Sequence, residues 1–150
     1  MKIIAVGNAF CGDDGVGAAV LARLAVDPVT ADLELIDLGT DALALIDVLE
    51  PGRRHIVIDA ARMGREAGAV VAFQPSEAHL RIRGDGLSLH GLGLAEAFGL
   101  AVRLGRLPDD VLVIGVEPAQ VTIGSGLSDA AAAAVPRVVS LIQAEVLGHE

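Results

Sequence analysis

The stretch "GNAFCGDDGVG", residues 7–17, sets two adjacent carboxylates, Asp13 and Asp14, among four glycines directly after the apolar run Ile3-Ile4-Ala5-Val6. A glycine-rich turn at this place ordinarily cradles a phosphate, which requires bare backbone N–H groups at a helix N-terminus. Here two negative charges occupy that position and would repel the anion, so the loop is suited to a cation or a proton donor. A third acid, Asp59, closes the apolar run "HIVIDA", and ending a buried strand on a carboxylate is locally unfavourable. His90 stands in "SLHGLG", at the threshold of a helical pattern. Two carboxylates and an imidazole make an oxygen, oxygen, nitrogen donor set, which suits a borderline divalent ion and leaves coordination positions open. Asp13 reads as a capping or supporting residue. His55, His79 and His149 read as ordinary surface or core histidines. Cys11 is a poor nucleophile candidate, because neighbouring carboxylates disfavour a thiolate.

The elements that must position these groups follow from hydrophobic period and turn signals. Residues 3–6 form a buried strand, and 15–25, rich in small residues, a helix able to lie close on a sheet. A second strand spans 33–38, followed by a helix over 41–50 with Thr40 or Asp41 as its cap and Pro51-Gly52 as its stop. Residues 55–60 and 69–73 form two more strands, joined by a connection too short for a helical crossover and therefore antiparallel. Residues 74–89 are the one long irregular stretch, a candidate mobile loop. A helix starts near His90, a last strand covers 111–116, and a closing helix is capped by Ser128, with Pro136 expected to kink it or to begin a second segment. Alternating strands and helices imply an α/β fold: a mostly parallel twisted sheet of about five strands, one of them antiparallel, with helices on both faces. Catalytic residues then belong at the carboxyl ends of the strands.

At 150 residues the chain is expected to form a single domain, 1–150. Hydrophobic residues make up 53% and aromatics only 2%, so Val, Leu, Ile and Ala must build the core. A net charge of -9 argues against nucleic acid or an anionic membrane as partner. The single cysteine allows no intrachain disulfide and no multi-thiolate metal site. The opening "MKIIAVGNAF" is too brief for a signal-peptide core and no run of apolar residues is long enough to span a bilayer, so cytoplasmic residence is expected.

Three acids at strand ends also describe a phosphoacceptor receiver domain. That class needs a lysine near the end of the last strand, and the only lysine here is Lys2. Taken together, "VGNAFCGDDGVG", "ELIDLGT", "VIDAARMGREAG", "SLHGLGLAEAF", "LPDDVLVIGVEP" and "GLSDAAAAAVP" resemble the nickel-iron hydrogenase maturation proteases, in that family's order and spacing. The resemblance implies an endopeptidase that trims the C-terminus of the large-subunit precursor of a nickel-iron hydrogenase. It also implies that Asp14, Asp59 and His90 bind a metal at the substrate cleft as the catalytic set. The metal would be nickel carried by the precursor, with no organic cofactor. The second-strand loop linked with substrate selectivity corresponds to Asp37, Gly39 and Thr40, with Leu38 where the family has a glycine. Two routes to hydrolysis stay open: polarisation of the scissile carbonyl by the metal, or an aspartate acting as general base on water. A non-catalytic metal- or partner-binding module on the same fold is the competing reading.

Overall fold

The computed structural model of the chain describes residues 1–83 and 93–148. Strand β1, Lys2–Ala5, is buried along its whole length, because a strand covered on both faces needs apolar side chains in both alternating directions. Ile3 joins one core and Ile4 the other, and β3, His55–Ala60, repeats the division with Ile56 and Ile58 against Val57. Strands β2, Glu34–Asp37, β4, Val70–Phe73, and β5, Val111–Val116, complete a five-stranded sheet in the order β2-β1-β3-β5-β4. All pairings are parallel except β4 with β5. This is the α/β fold expected from the sequence. Strand β4 does run opposite to β3, but β5 lies between them.

One face is covered by α1, Val16–Ala25, and α5, Asp129–Leu147, whose Val16, Val20, Leu24, Ala134, Val138 and Ile142 fill the first core. Helix α1 lies very close to β1: a Cβ on Gly17 would stand 2.9 Å from that of Ala5. The other face carries two short helices, α2, Leu45–Val48, and α3, Ala78–Arg81, and the longer α4, Leu94–Arg103, with Leu45, Ala97, Phe98 and Ala101 in the second core.

Three local expectations change. The helix expected over 41–50 is a 3-10 turn at Ala42–Ala44 followed by the single-turn α2; Asp41 caps it, accepting from Ala44 N at 3.1 Å. Within the stretch expected to be irregular, Pro75–Glu77 and α3 are helical, started by a capping box between Gln74 and Glu77. Helix α5 runs through Pro136 without a break, since Pro136 and the residue four positions before it, Ala132, both lie on the exposed face. By length and composition alone α5 could cross a membrane, yet its apolar stripe packs in the core.

His55 opens β3 at the amino edge of the sheet, fully buried, with Nε2 accepting from Glu50 N at 3.1 Å. Burial, with the nearby Lys2 charge, holds its pKa below the ordinary 6.5. The native state therefore resists protonation while the unfolded chain does not. Stability is full above about pH 6.5 and falls as pH drops through the window between that value and the lower native pKa. Thermal unfolding of His55→Gln is expected to show a flatter pH dependence in this window than the wild type.

Candidate active site at the carboxyl edge of the sheet

Beyond Ala5 the chain stays beside β3 for one more residue, with Val6 N donating to Ile58 O at 3.0 Å, and then turns at Gly7. Gly7 has φ +142°, and a Cβ there would stand 2.1 Å from the carbonyl oxygen of Asp14 and 3.4 Å from its Oδ1. The loop thus doubles back through a 3-10 turn, Gly12–Gly15, and lays Asp14 directly over the end of β1. Asn8 N donates to Asp14 Oδ2 at 2.7 Å. Asp59 lies on the adjacent strand, one residue past Ile58, the register partner of Ala5. Both acids are buried, 5% exposed for Asp14 and 7% for Asp59, and both sit at the carboxyl edge of neighbouring parallel strands.

His90, the third member of the expected set, lies outside the described residues, as does the expected start of its helix; α4 begins at Leu94. Among the described residues no cluster of three or more histidine, cysteine or carboxylate side chains forms a metal cage.

The loop after β2 borders the same edge. Asp37 Oδ1 accepts from Gly39 N at 2.9 Å, closing a turn in which Gly39 O accepts from Gly7 N at 2.8 Å. Asp37 and Thr40 are exposed at the rim. The residues expected to govern selectivity are therefore tied by a backbone bond to the loop that carries Asp14.

Asp13 does not cap its own helix. Its carboxylate is buried and accepts from Ala119 N at 2.7 Å, Gln120 N at 3.2 Å, Ser128 N at 2.7 Å and Ser128 Oγ at 2.7 Å. Burial alone would raise its pKa, but these donors outweigh burial and hold the carboxyl below the usual range. Ser128 in turn caps α5, its Oγ accepting from Ala131 N at 3.2 Å. Glu117, which lies in the stretch "LPDDVLVIGVEP" without an expected role, is buried just past β5, and its Oε1 accepts from Met63 N at 2.8 Å and Arg65 N at 2.9 Å. The cue for it was the one used for Asp59, an acid immediately after a buried apolar strand.

Cys11 is 3% exposed and pairs across an isolated antiparallel bridge with Ile123. A thiol buried there is walled off from any substrate. Cys11→Ala is expected to keep whatever peptide-bond cleavage the wild type shows and to lose about 1 kcal/mol of stability from the vacated volume, measurable by denaturant titration.

A sequence model of the hydrogenase maturation protease family matches residues 19–145, beginning just past the first loop. The hydrogenase expression/formation protein HupD of Bradyrhizobium diazoefficiens is 33% identical over 121 residues, 77% of this chain and 61% of the relative. The chain spans between 54% and 61% of the length of the first HupD proteins it matches. Among solved structures, the hydrogenase maturating endopeptidase HybD from Escherichia coli superposes with a TM-score of 0.79 at 21% identity, covering 99% of this chain and 94% of that one. The [NiFe] hydrogenase maturation protease HybD from Thermococcus kodakarensis superposes with a TM-score of 0.72 at 26% identity, covering 97% of both chains. With the family model matched over most of its length and the same fold shared from end to end, the chain belongs to the hydrogenase maturation protease family.

Proposed function

We propose that this protein is a cytoplasmic endopeptidase that removes a C-terminal peptide from the nickel-loaded large-subunit precursor of a nickel-iron hydrogenase. The reading is carried by one observation: two buried carboxylates, Asp14 and Asp59, stand at the carboxyl edge of adjacent strands in a member of this family. Two carboxylates at one edge offer oxygen donors of the kind a divalent ion takes. A metal brought by the substrate would meet those oxygens at the moment of binding.

In this reading Asp14, Asp59 and His90 are the catalytic set and complete the coordination of the precursor's nickel, which is part of the substrate. Two oxygens and one nitrogen leave the remaining positions to the precursor's own ligands, so affinity belongs to the pair and the isolated protein binds divalent ions weakly. The rim residues Asp37, Gly39 and Thr40 select the precursor. As ligands, the carboxylates help the ion polarise the scissile carbonyl. As a base, one of them would take a proton from the attacking water, and would then act on nickel-free precursor as well. No organic cofactor, nucleic acid or membrane enters the reaction.

The test is incubation of purified protein with nickel-loaded precursor, followed by mass spectrometry of the released peptide. Peptide release is expected. Stable complex formation without release would replace the endopeptidase reading with that of a metal- or partner-binding module.

A further inference from the structure

The segment that follows β5, residues 117–128, touches both the loop that carries Asp14 and the connection that leaves β3 just past Asp59, and it does so through two buried carboxylates other than Asp14 and Asp59. We infer that this segment is a common brace for the site, with Asp13 and Glu117 as the positioning residues that clasp the two loops to it. The inference rests on the proposed endopeptidase reading for its catalytic consequence.

On the first loop, the clasp is continuous. Gly12 N donates to Ser125 O at 3.1 Å, Asp13 N to Gln120 O at 2.9 Å and Gly124 N to Phe10 O at 2.8 Å, and the Asp13 carboxylate takes the four donors of Ala119, Gln120 and Ser128. Gly12 lies directly under Gln120, where an added Cβ would stand 2.3 Å from Oε1. Asp14 directly follows Asp13, and its Asn8 hydrogen bond closes the same loop.

On the second loop, Glu117 holds Met63 and Arg65 by their N–H groups. Its backbone is tied twice more, Gly68 N donating to Glu117 O at 2.8 Å and Glu117 N to Ala69 O at 2.9 Å, while Ala61 N donates to Val116 O at 2.9 Å. The chain leaving Asp59 is thereby folded back on the same segment that grips Asp13. A displacement of the brace shifts the loop carrying Asp14 and the connection that begins just past Asp59, and a shift of about 1 Å in reacting groups is enough to cost about 100-fold in rate.

The two clasps respond differently to neutral isosteres. Glu117 uses one oxygen for both donors, so Glu117→Gln can present its amide oxygen to Met63 and Arg65 unchanged. Asp13 uses both oxygens, so Asp13→Asn must aim an NH2 group at a donor on Ser128.

The experiment compares wild type, Asp13→Asn, Glu117→Ala and Glu117→Gln by amide hydrogen exchange and by cleavage of nickel-loaded precursor. In Asp13→Asn the Asn8 amide, and in Glu117→Ala the Ala61 amide, are expected to exchange at least about tenfold faster while the strand amides of Ile4 and Val113 keep their wild-type rates, the signature of local opening. Turnover at saturating precursor should fall at least about tenfold with KM little changed, and Glu117→Gln should restore both readouts. Unchanged protection at Asn8 and Ala61, or wild-type turnover in Asp13→Asn and Glu117→Ala below their unfolding temperatures, would overturn the brace. Failure of the wild type to cleave would count against the endopeptidase reading alone, because the exchange rates decide the bracing without it.

Discussion

Asp14→Asn is expected to abolish release of the C-terminal peptide, by more than about 100-fold, while leaving the protein folded. The substitution keeps the volume of a side chain that is 5% exposed and replaces one carboxylate oxygen by an NH2 group. The remaining oxygen can still accept from Asn8 N, so the loop keeps its local bond. What is lost is a negatively charged donor at the edge where the precursor's ion must be met. With the volume and the Asn8 hydrogen bond kept, the midpoint of thermal unfolding is expected to stay within a few degrees of the wild type. Asp59→Asn should behave alike, and His90→Ala should lose cleavage equally. Peptide release followed by mass spectrometry, paired with a thermal melt, checks both halves. A folded Asp14→Asn protein that still processes the precursor would remove Asp14 from the catalytic set.

Among the glycines of the described residues, Gly7→Ala is expected to be the most damaging single methyl group, at about 2–4 kcal/mol. The glycine has φ +142°, and the new Cβ would stand 2.1 Å from the Asp14 carbonyl oxygen, a backbone atom that no rotamer change can move away. Either the turn after β1 opens or the 3-10 segment carrying Asp14 lifts from the sheet, and cleavage falls with it. Gly39→Ala supplies the comparison, since Gly39 also has positive φ, +58°, but nothing lies within 4 Å of its added Cβ. It should cost only about 1 kcal/mol. Denaturant titrations of the two variants separate steric intrusion on Asp14 from simple backbone strain. Equal destabilisation by both would show that the close approach at Gly7 contributes nothing.

Much of this arrangement was legible in the sequence because it is local. The apolar run of residues 3–6, which contains most of β1, and the longer runs of β3 and β5 announce strands buried on both faces, and the alternation of strand and helix dictates parallel pairing. An aspartate closing such a strand, as Asp59 does, falls at the carboxyl edge by construction. The helix pattern over 41–50 was harder: its apolar spacing holds, but Asp41 starts a 3-10 turn and only four residues, Leu45–Val48, become α-helical. Asp13 marks the limit more sharply. Its partners Ala119, Gln120 and Ser128 are 106 to 115 residues away, so no spacing rule could assign them. Beside a helix start, an aspartate looks like a cap for that helix; tertiary contact makes it the anchor of another. The partners of Glu117 were hidden likewise, since Met63 and Arg65 lie in a connection with no regular pattern.

The most direct measurement is the mass of the precursor's C-terminus after incubation with this protein, using hydrogenase large-subunit precursor prepared with and without nickel. If Asp14 and Asp59 meet an ion carried by the substrate, the nickel-loaded precursor loses its C-terminal peptide and the nickel-free precursor stays intact under identical conditions. Equal processing of the two forms would contradict that account and leave the carboxylates acting on water without the metal.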